Sequence, residues 1–364
     1  MLKLGSIGGL GLMAAPAAKH LRGDDSAVIV RVHDRGRSDA RRDAIRRDWR
    51  DYGAELVGTI PALVGEGDLD AVLICAGKNG DDCAVVGEVA RLLARSKKES
   101  FRPTIIHMST VSTGFVRAAS TFCESQSVHY VNYPLTGGPK GAELGGAHPN
   151  GMLILAAGDE TVFGRFEPML RRLGHPRYFG AQVDAGAVVK LIGQHMVFNG
   201  CTGISSAAGI LAASFHGGEL SGEEQADFFQ FLNGGAGGTR QWDVALSKGV
   251  RDGVWDQGFM IKHAVVDAIY AAQLALDLGM PRFSIYPMIH IALAFSFLLE
   301  KSRGAELATH AIAKELNRSD AAAMDSFFEH HRGATTQQAI EACIRSLPDS
   351  VRRTVGLNVG PGDF

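Results

Sequence analysis

Cysteine is scarce in this chain of 364 residues: Cys75, Cys83, Cys123, Cys201 and Cys343 are all there are. Their odd number, irregular spacing and lack of any CxxC pair argue against a disulfide framework or a cysteine zinc site. His148, His175, His330 and His331 show no ligand spacing with acids or cysteines, so no metal site is expected. An excess of one charge is also missing. The 37 Lys and Arg nearly balance 39 Asp and Glu, leaving −2, which speaks against nucleic-acid binding by broad phosphate neutralisation. No long hydrophobic run occurs either. The longest, residues 285–299, is interrupted by Pro287, His290 and Ser296 and falls short of the ~20 residues of a membrane span. The apolar, glycine-rich N-terminal stretch reads as a buried strand and turn rather than a signal peptide. What remains is an ordinary globular composition, expected in the cytoplasm, with no membrane partner.

The first half alternates short apolar, β-branched runs with helical patterns. Residues 3–7, 27–32, 71–75, 104–108 and 129–132 read as strands, and 40–51 and 84–96 as amphipathic helices. Residues 152–157 follow as a strand and 160–173 as a helix. Such alternation predicts a parallel sheet covered on both faces. After about residue 183 the strand signal stops, and 184–215 reads as one long helix. The fold class is therefore α/β. It comprises a doubly wound Rossmann-type domain (1–182), an all-α domain opened by the long helix (183–314) and a C-terminal extension (315–364). Residues 217–223 are expected to be a loop.

Gly9-Leu10-Gly11-Leu12-Met13-Ala14 fits G-x-G-x-x-G/A, directly after a strand and at the start of an apolar helix. The first glycine permits a tight turn, the second lets a pyrophosphate approach the backbone, and the small Ala14 allows helix–strand packing. Asp34 closes the second strand, where an acid accepts ribose hydroxyls and favours NAD. Arg35, Arg37 and Ser38 follow it and offer the alternative, a 2′-phosphate site for NADP. Ala76, Gly77 and Lys78 lie past the strand at 71–75, at a strand end that borders a nicotinamide. Lys78 to Asp82 read as a polar loop.

The order of four blocks resembles the β-hydroxyacid dehydrogenase family, over about residues 3–300. The blocks are the glycine turn at 9–21, Met108-Ser109-Thr110-Val111-Ser112, the stretch NYPLTGGPKGAELGGA at 132–147, and Gly186 to Lys190 opening the long helix. Residues 267–281 add a later match. The resemblance implies an NAD(P)-dependent dehydrogenase acting on a small hydroxy acid, and a homodimer or homotetramer. It implies that Lys190 is the general acid/base and that Thr136, Gly137 and Gly138 hold the substrate carboxylate. Ser109 and Thr110 would line the junction of cofactor and substrate, and Asp267 would help close the pocket.

The residues support these roles. A lysine acting as a base near neutrality needs desolvation, and Val188, Val189, Leu191 and Ile192 give Lys190 apolar neighbours. Gln194 lies four residues on, on the same helix face, where the family has asparagine, and is expected to orient the substrate or the lysine. His195 reads as structural. Departures from the family pattern are His107, Asn132, Tyr133, Gly193 and Val266. They are expected to alter the pocket walls, and Lys262 is expected to replace a charge lost at Val266 near the cofactor. The replaced positions Gly193, Gln194, Val266 and Asn132 also motivate a second class of function, a non-catalytic NAD(P)H sensor or scaffold. A third reading, an imine reductase, sits poorly with the helix lysine.

Overall fold

Residues 1–65, 67–95, 101–214, 222–301, 303–316 and 319–364 are described by a computed structural model of the chain. They form two units: Met1–Lys190 together with Gly356–Phe364, and Leu191–Val355.

The first unit opens with β1 (Leu2–Ile7), α1 (Ala14–Ala18), β2 (Ala27–His33), α2 (Ala40–Tyr52), β3 (Glu55–Val57), α3 (Ile60–Val64) and β4 (Ala71–Ile74). It continues with α4 (Asn79–Leu93), β5 (Thr104–His107), α5 (Thr113–Ser125) and β6 (His129–Asn132). Six strands pair in parallel in the order β3-β2-β1-β4-β5-β6. Every residue of β4 and β5 is buried, as expected for strands covered on both sides. Side chains alternate between two cores. Leu73 and Ile106 pack with Trp49 of α2, while Val72, Ile74 and Ile105 pack with Val86 of α4 and Phe115 of α5.

A second, three-stranded sheet follows. It holds β7 (Leu135–Thr136), β8 (Leu153–Ala156) and β9 (His175–Tyr178), interleaved with α6 (Gly138–Leu144) and α7 (Glu160–Leu173). β7 runs antiparallel to β8, and β9 parallel to it. Short polar side chains set several helix starts: Asp39 Oδ1 accepts from Arg42 N (2.8 Å), Ser112 Oγ from Phe115 N (3.2 Å) and Asp159 Oδ1 from Thr161 N (2.7 Å).

α8 (Ala185–Ser214) is a single helix of 30 residues that begins in the first unit and continues into the second. The second unit goes on with α9 (Gly222–Asn233), α10 (Ser247–Asp252), α11 (Ile261–Asp277), α12 (Arg282–Leu299), α13 (Ile312–Glu315), α14 (Ala321–His330), α15 (Thr336–Ser346) and α16 (Asp349–Val355). By length and composition α12 could cross a membrane, contrary to the expectation from its interruptions. It is instead the core helix of this unit: Met288, Ile291, Phe295 and Leu298 are almost wholly buried, and Ser296 Oγ is bonded to Ser346 (2.9 Å to its carbonyl).

Several expectations need correction. Residues 79–82 are not a loop but the first turn of α4, with Asp81 and Asp82 at its positive end. That helix ends at Leu93; the expected end at Ser96 and the last residue of the long helix, Phe215, lie outside the described residues. So do residues 217–221 of the expected loop, while 222 and 223 open α9. The expected extension at 315–364 is not one body. Residues up to Val355 complete the helical unit, and Gly356–Phe364 return to the first.

Gly356–Phe364 pack against α4 and α5. The Phe364 ring stacks on Phe122 (5.5 Å between centroids) and meets Phe115 edge-on (5.2 Å). Arg91 Nη2 donates to the Phe364 carbonyl, and Cys83 Sγ to that of Asp363 (3.3 Å). A Cβ on Gly87 would come within 2.5 Å of the Phe364 backbone, so α4 needs glycine there to let the segment approach.

Candidate dinucleotide and active site

β1 ends at Ile7, and a tight turn runs from Gly8 to Met13 before α1 begins. Gly8 has φ +86°, and a Cβ there would stand 2.1 Å from the Cys75 carbonyl oxygen. Added Cβ atoms would also lie 2.7 Å from Val32 Cγ1 at Gly9 and 2.9 Å from Gly8 O at Gly11. The residue that must adopt a left-handed conformation is thus Gly8, one place before the motif read from spacing. Gly11 N donates to Gly8 O (2.7 Å), and α2 holds the turn from outside through Trp49 Nε1 to Gly9 O (3.0 Å) and Arg41 Nη2 to Leu10 O (3.2 Å). Leu12 is half exposed. A turn this closely packed between the ends of β1, β2 and β4 fits the approach of a pyrophosphate to the backbone.

Asp34 follows β2, its N–H bonded to Val57 O (2.9 Å). Its carboxylate is gripped by Arg46 of α2, Nε to Oδ2 at 2.6 Å and Nη2 to Oδ1 at 2.8 Å. These bonds hold the Asp34 carboxyl below the usual carboxylate range. Arg35 and Arg37 are exposed. Sequence reasoning did not single out Arg46; the available signal was its place on the helix capped by Asp39, three residues beyond Asp43.

Past β4, Ala76 N donates to Ser109 Oγ (3.1 Å) and Gly77 N to Asp82 Oδ2 (3.2 Å). Lys78 is buried at the cap of α4, and Ser109 is buried while Thr110 is half-buried. Beneath them lies a buried polar network. His107 Nε2 meets Asp82 Oδ2 at 2.9 Å and His107 Nδ1 meets the Tyr130 hydroxyl at 2.8 Å. A neutral imidazole satisfies both bonds, donating to Asp82 from Nε2 and accepting from Tyr130 at Nδ1. Asn132 Nδ2 donates to His107 O (2.9 Å) and to Ser109 O (3.3 Å). His107, Asn132 and Tyr133 were expected to reshape the pocket walls. They are instead fully buried: the polar atoms of His107 and Asn132 brace the strand ends that carry Ser109 and the turn at 76–78, while Tyr133 packs in the apolar core.

The turn after β7 is open to ligands. Thr136 is half-buried, Gly137 (φ +119°) and Gly138 (φ +66°) are exposed, and nothing lies within 4 Å of a Cβ built on Gly138. Lys190 sits in the second turn of α8 and is 8% exposed. Leu191 beside it is buried, but Ile192 points outward at 53% exposure and gives it no cover.

In the second unit, Gln194 Nε2 donates to Asp267 Oδ2 at 2.5 Å, with both side chains buried. Gln194 is therefore an amide whose orientation is fixed by a carboxylate. Lys262 is half-buried in the first turn of α11, one turn from the wholly buried Val266. His195 bonds Ser284 O (2.9 Å) and the Asn199 amide (2.9 Å), a structural role.

A doubly wound sheet, a glycine turn after its first strand and an acid after its second define a nicotinamide dinucleotide-binding oxidoreductase fold. Residues 3–192 match the family model described as the NAD-binding domain of 6-phosphogluconate dehydrogenase. The chain belongs to that family, among the NAD(P)-dependent oxidoreductases of the β-hydroxyacid dehydrogenase type. It is 29% identical to 2-(hydroxymethyl)glutarate dehydrogenase of Eubacterium barkeri over 107 residues, covering 29% of this chain and 33% of that enzyme. In fold it is similar to 3-hydroxyisobutyrate dehydrogenase of Mycobacterium tuberculosis with L-serine (TM-score 0.66, 19% identity, 88% of this chain and all of that one). It is also similar to 3-hydroxyisobutyrate dehydrogenase of Salmonella typhimurium (TM-score 0.68, 20% identity, 86% of this chain and all of that one).

Proposed function

We propose that the protein interconverts a small 3-hydroxy carboxylate, or a related hydroxy acid, and its semialdehyde or ketone, with NAD as the cofactor. The observation that carries this reading is Lys190, a lysine 8% exposed, one helical turn from an amide locked onto a buried carboxylate. The nicotinamide, when bound, supplies hydride acceptance or donation. The chain's own work is to place the carbon and manage one proton. Lys190 Nζ takes the hydroxyl proton during oxidation and returns it to the carbonyl oxygen during reduction. Gln194, its amide set by Asp267, orients the reacting oxygen. The Thr136-Gly137-Gly138 turn offers a hydroxyl and backbone N–H groups to the substrate carboxylate, and Ser109 and Thr110 flank the reacting carbon. The Gly8–Met13 turn and the 76–78 turn receive the dinucleotide. Asp34 supports NAD, because a carboxylate at that strand end repels a 2′-phosphate.

The test is a panel of hydroxy acids with NAD⁺ and NADP⁺, followed at the absorbance of reduced nicotinamide. Lys190→Ala is expected to lower turnover by about 10²–10⁴ with cofactor affinity unchanged. Undiminished turnover in that variant overturns the assignment. Tight nucleotide binding without turnover on any hydroxy acid would favour the sensor reading instead.

A further inference from the structure

We propose that Arg46 is a sequestered 2′-phosphate ligand, and that its capture by Asp34 makes the site select NAD over NADP. The inference rests on the reading of the first unit's glycine turn and β2 end as the dinucleotide site.

Arg46 has five N–H donors, and all are engaged. Nε donates to Asp34 Oδ2 (2.6 Å), and Nη2 to Asp34 Oδ1 (2.8 Å) and Arg37 O (2.6 Å). Nη1 donates to Asp43 Oδ1 (2.6 Å) and Ser38 Oγ (3.5 Å). The Arg46 and Asp34 side chains are only 11% and 16% exposed, so the pair is held in place rather than waving in solvent. Asp34 Oδ1 also accepts from Gly36 N (3.0 Å). Of the roughly four acceptor directions of a carboxylate, three are used, and the open one is on Oδ2. The pair can therefore accept one further donor, as a ribose hydroxyl provides, and has no donor left for a phosphate.

The helix that carries Arg46 also carries Trp49 and Arg41, which bond the carbonyls of Gly9 and Leu10. Arg46 is thus fixed at the end of β2, on a helix that also holds the glycine turn, whereas Arg35 and Arg37 are exposed. Removing the Asp34 carboxylate frees Nε and one Nη2 hydrogen at that strand end, while Asp43 still holds Nη1. A guanidinium fork with two free N–H groups matches a phosphate.

The experiment uses the full-length protein and measures NADH and NADPH binding by calorimetry, with thermal unfolding as a check on folding. Wild type should prefer NADH. In Asp34→Ser, NADH affinity should fall by roughly tenfold and NADPH affinity rise by about ten- to a hundredfold, the range of one or two charge-assisted hydrogen bonds. The gain should vanish in Asp34→Ser/Arg46→Gln. Asp34→Asn, which keeps the size and removes the charge, serves if the serine variant does not fold. An NADPH gain that persists without Arg46 would assign the phosphate to Arg35 or Arg37 and overturn the proposal, as would no gain at all in a folded variant that still binds NADH. Wild type binding neither nucleotide is the distinct result that removes the dinucleotide reading itself.

Discussion

Gly8 shows how much a single position in the nucleotide turn can demand. Two costs coincide there: a left-handed backbone, and the Cys75 carbonyl where a Cβ would sit. Gly36 shares the positive φ (+72°) but has nothing within 4 Å. Gly36→Ala should therefore cost only the conformational term, about 1–2 kcal/mol. Gly8→Ala should exceed about 3 kcal/mol, the upper end of backbone strain alone, and should also weaken NADH binding. Urea unfolding of the two variants side by side measures the difference; equal costs would contradict the role assigned to Cys75. The glycine motif itself was legible, because Gly9, Gly11 and Ala14 obey a fixed spacing. Gly8 was not singled out, because the atom that requires it comes from Cys75, just past β4 and 67 residues along the chain. Arg46 escaped for the same reason: what marks it is a carboxylate 12 residues back, met only once α2 folds over the end of β2. Lys190, Gln194 and Asp267 stood out because their sequence neighbourhoods carry the pattern.

At the scale of elements, parallel strands flanked by turn residues were readable because apolar runs of four or more leave little alternative. β3 and β7, with three and two residues, are too short to show any period. The start of α4 was misplaced because Asn79, Asp81 and Asp82 look like loop residues. The structure uses their polarity inside the protein: Asn79 bonds Ser112 (2.7 Å) and Asp82 bonds His107. This ties the first turn of α4 to β5 and to the loop that carries Ser109. Because the pair is wholly buried, removing the imidazole leaves the Asp82 carboxyl group with the Gly77 N–H but without its side-chain donor. His107→Ala should destabilise the protein by about 1–3 kcal/mol, and adding Asp82→Asn should recover part of that loss. The check is chemical denaturation of both variants. A double variant as unstable as the sum of its single changes would show that the two side chains act independently.

On the scale of the whole molecule, residues 356–364 are part of the first unit although the second unit precedes them in sequence. Phe364 is 6% exposed and belongs to the same core as Val86, Phe115 and Val116. Phe364→Ala should cost about 3–5 kcal/mol, the usual range for removing a buried phenyl ring. NADH should raise the unfolding temperature of both proteins, since a ligand stabilises the state it binds. An unchanged melting temperature in the variant would mean that the segment contributes no packing. Nothing in the composition of 356–364 announced this. A Gly- and Pro-rich stretch with one terminal aromatic reads as a tail, and its partners on α4 and α5 lie more than 200 residues earlier.

That return also dictates an order of events on the ribosome. The α/β fold is interrupted, not followed, by the helical one, so its translation finishes last. The pairing of Asn79 with the Gly356 carbonyl spans 277 residues, and that of Cys83 with Asp363 spans 280. Until those residues emerge, Phe122 lacks the ring that stacks on it and Phe115 has only the His107 ring on one side, and the nascent chain carries an open apolar seam throughout synthesis of the helical part. Contacts of such separation close late, which makes this seam the place where chaperone capture or self-association of unfinished chains would begin.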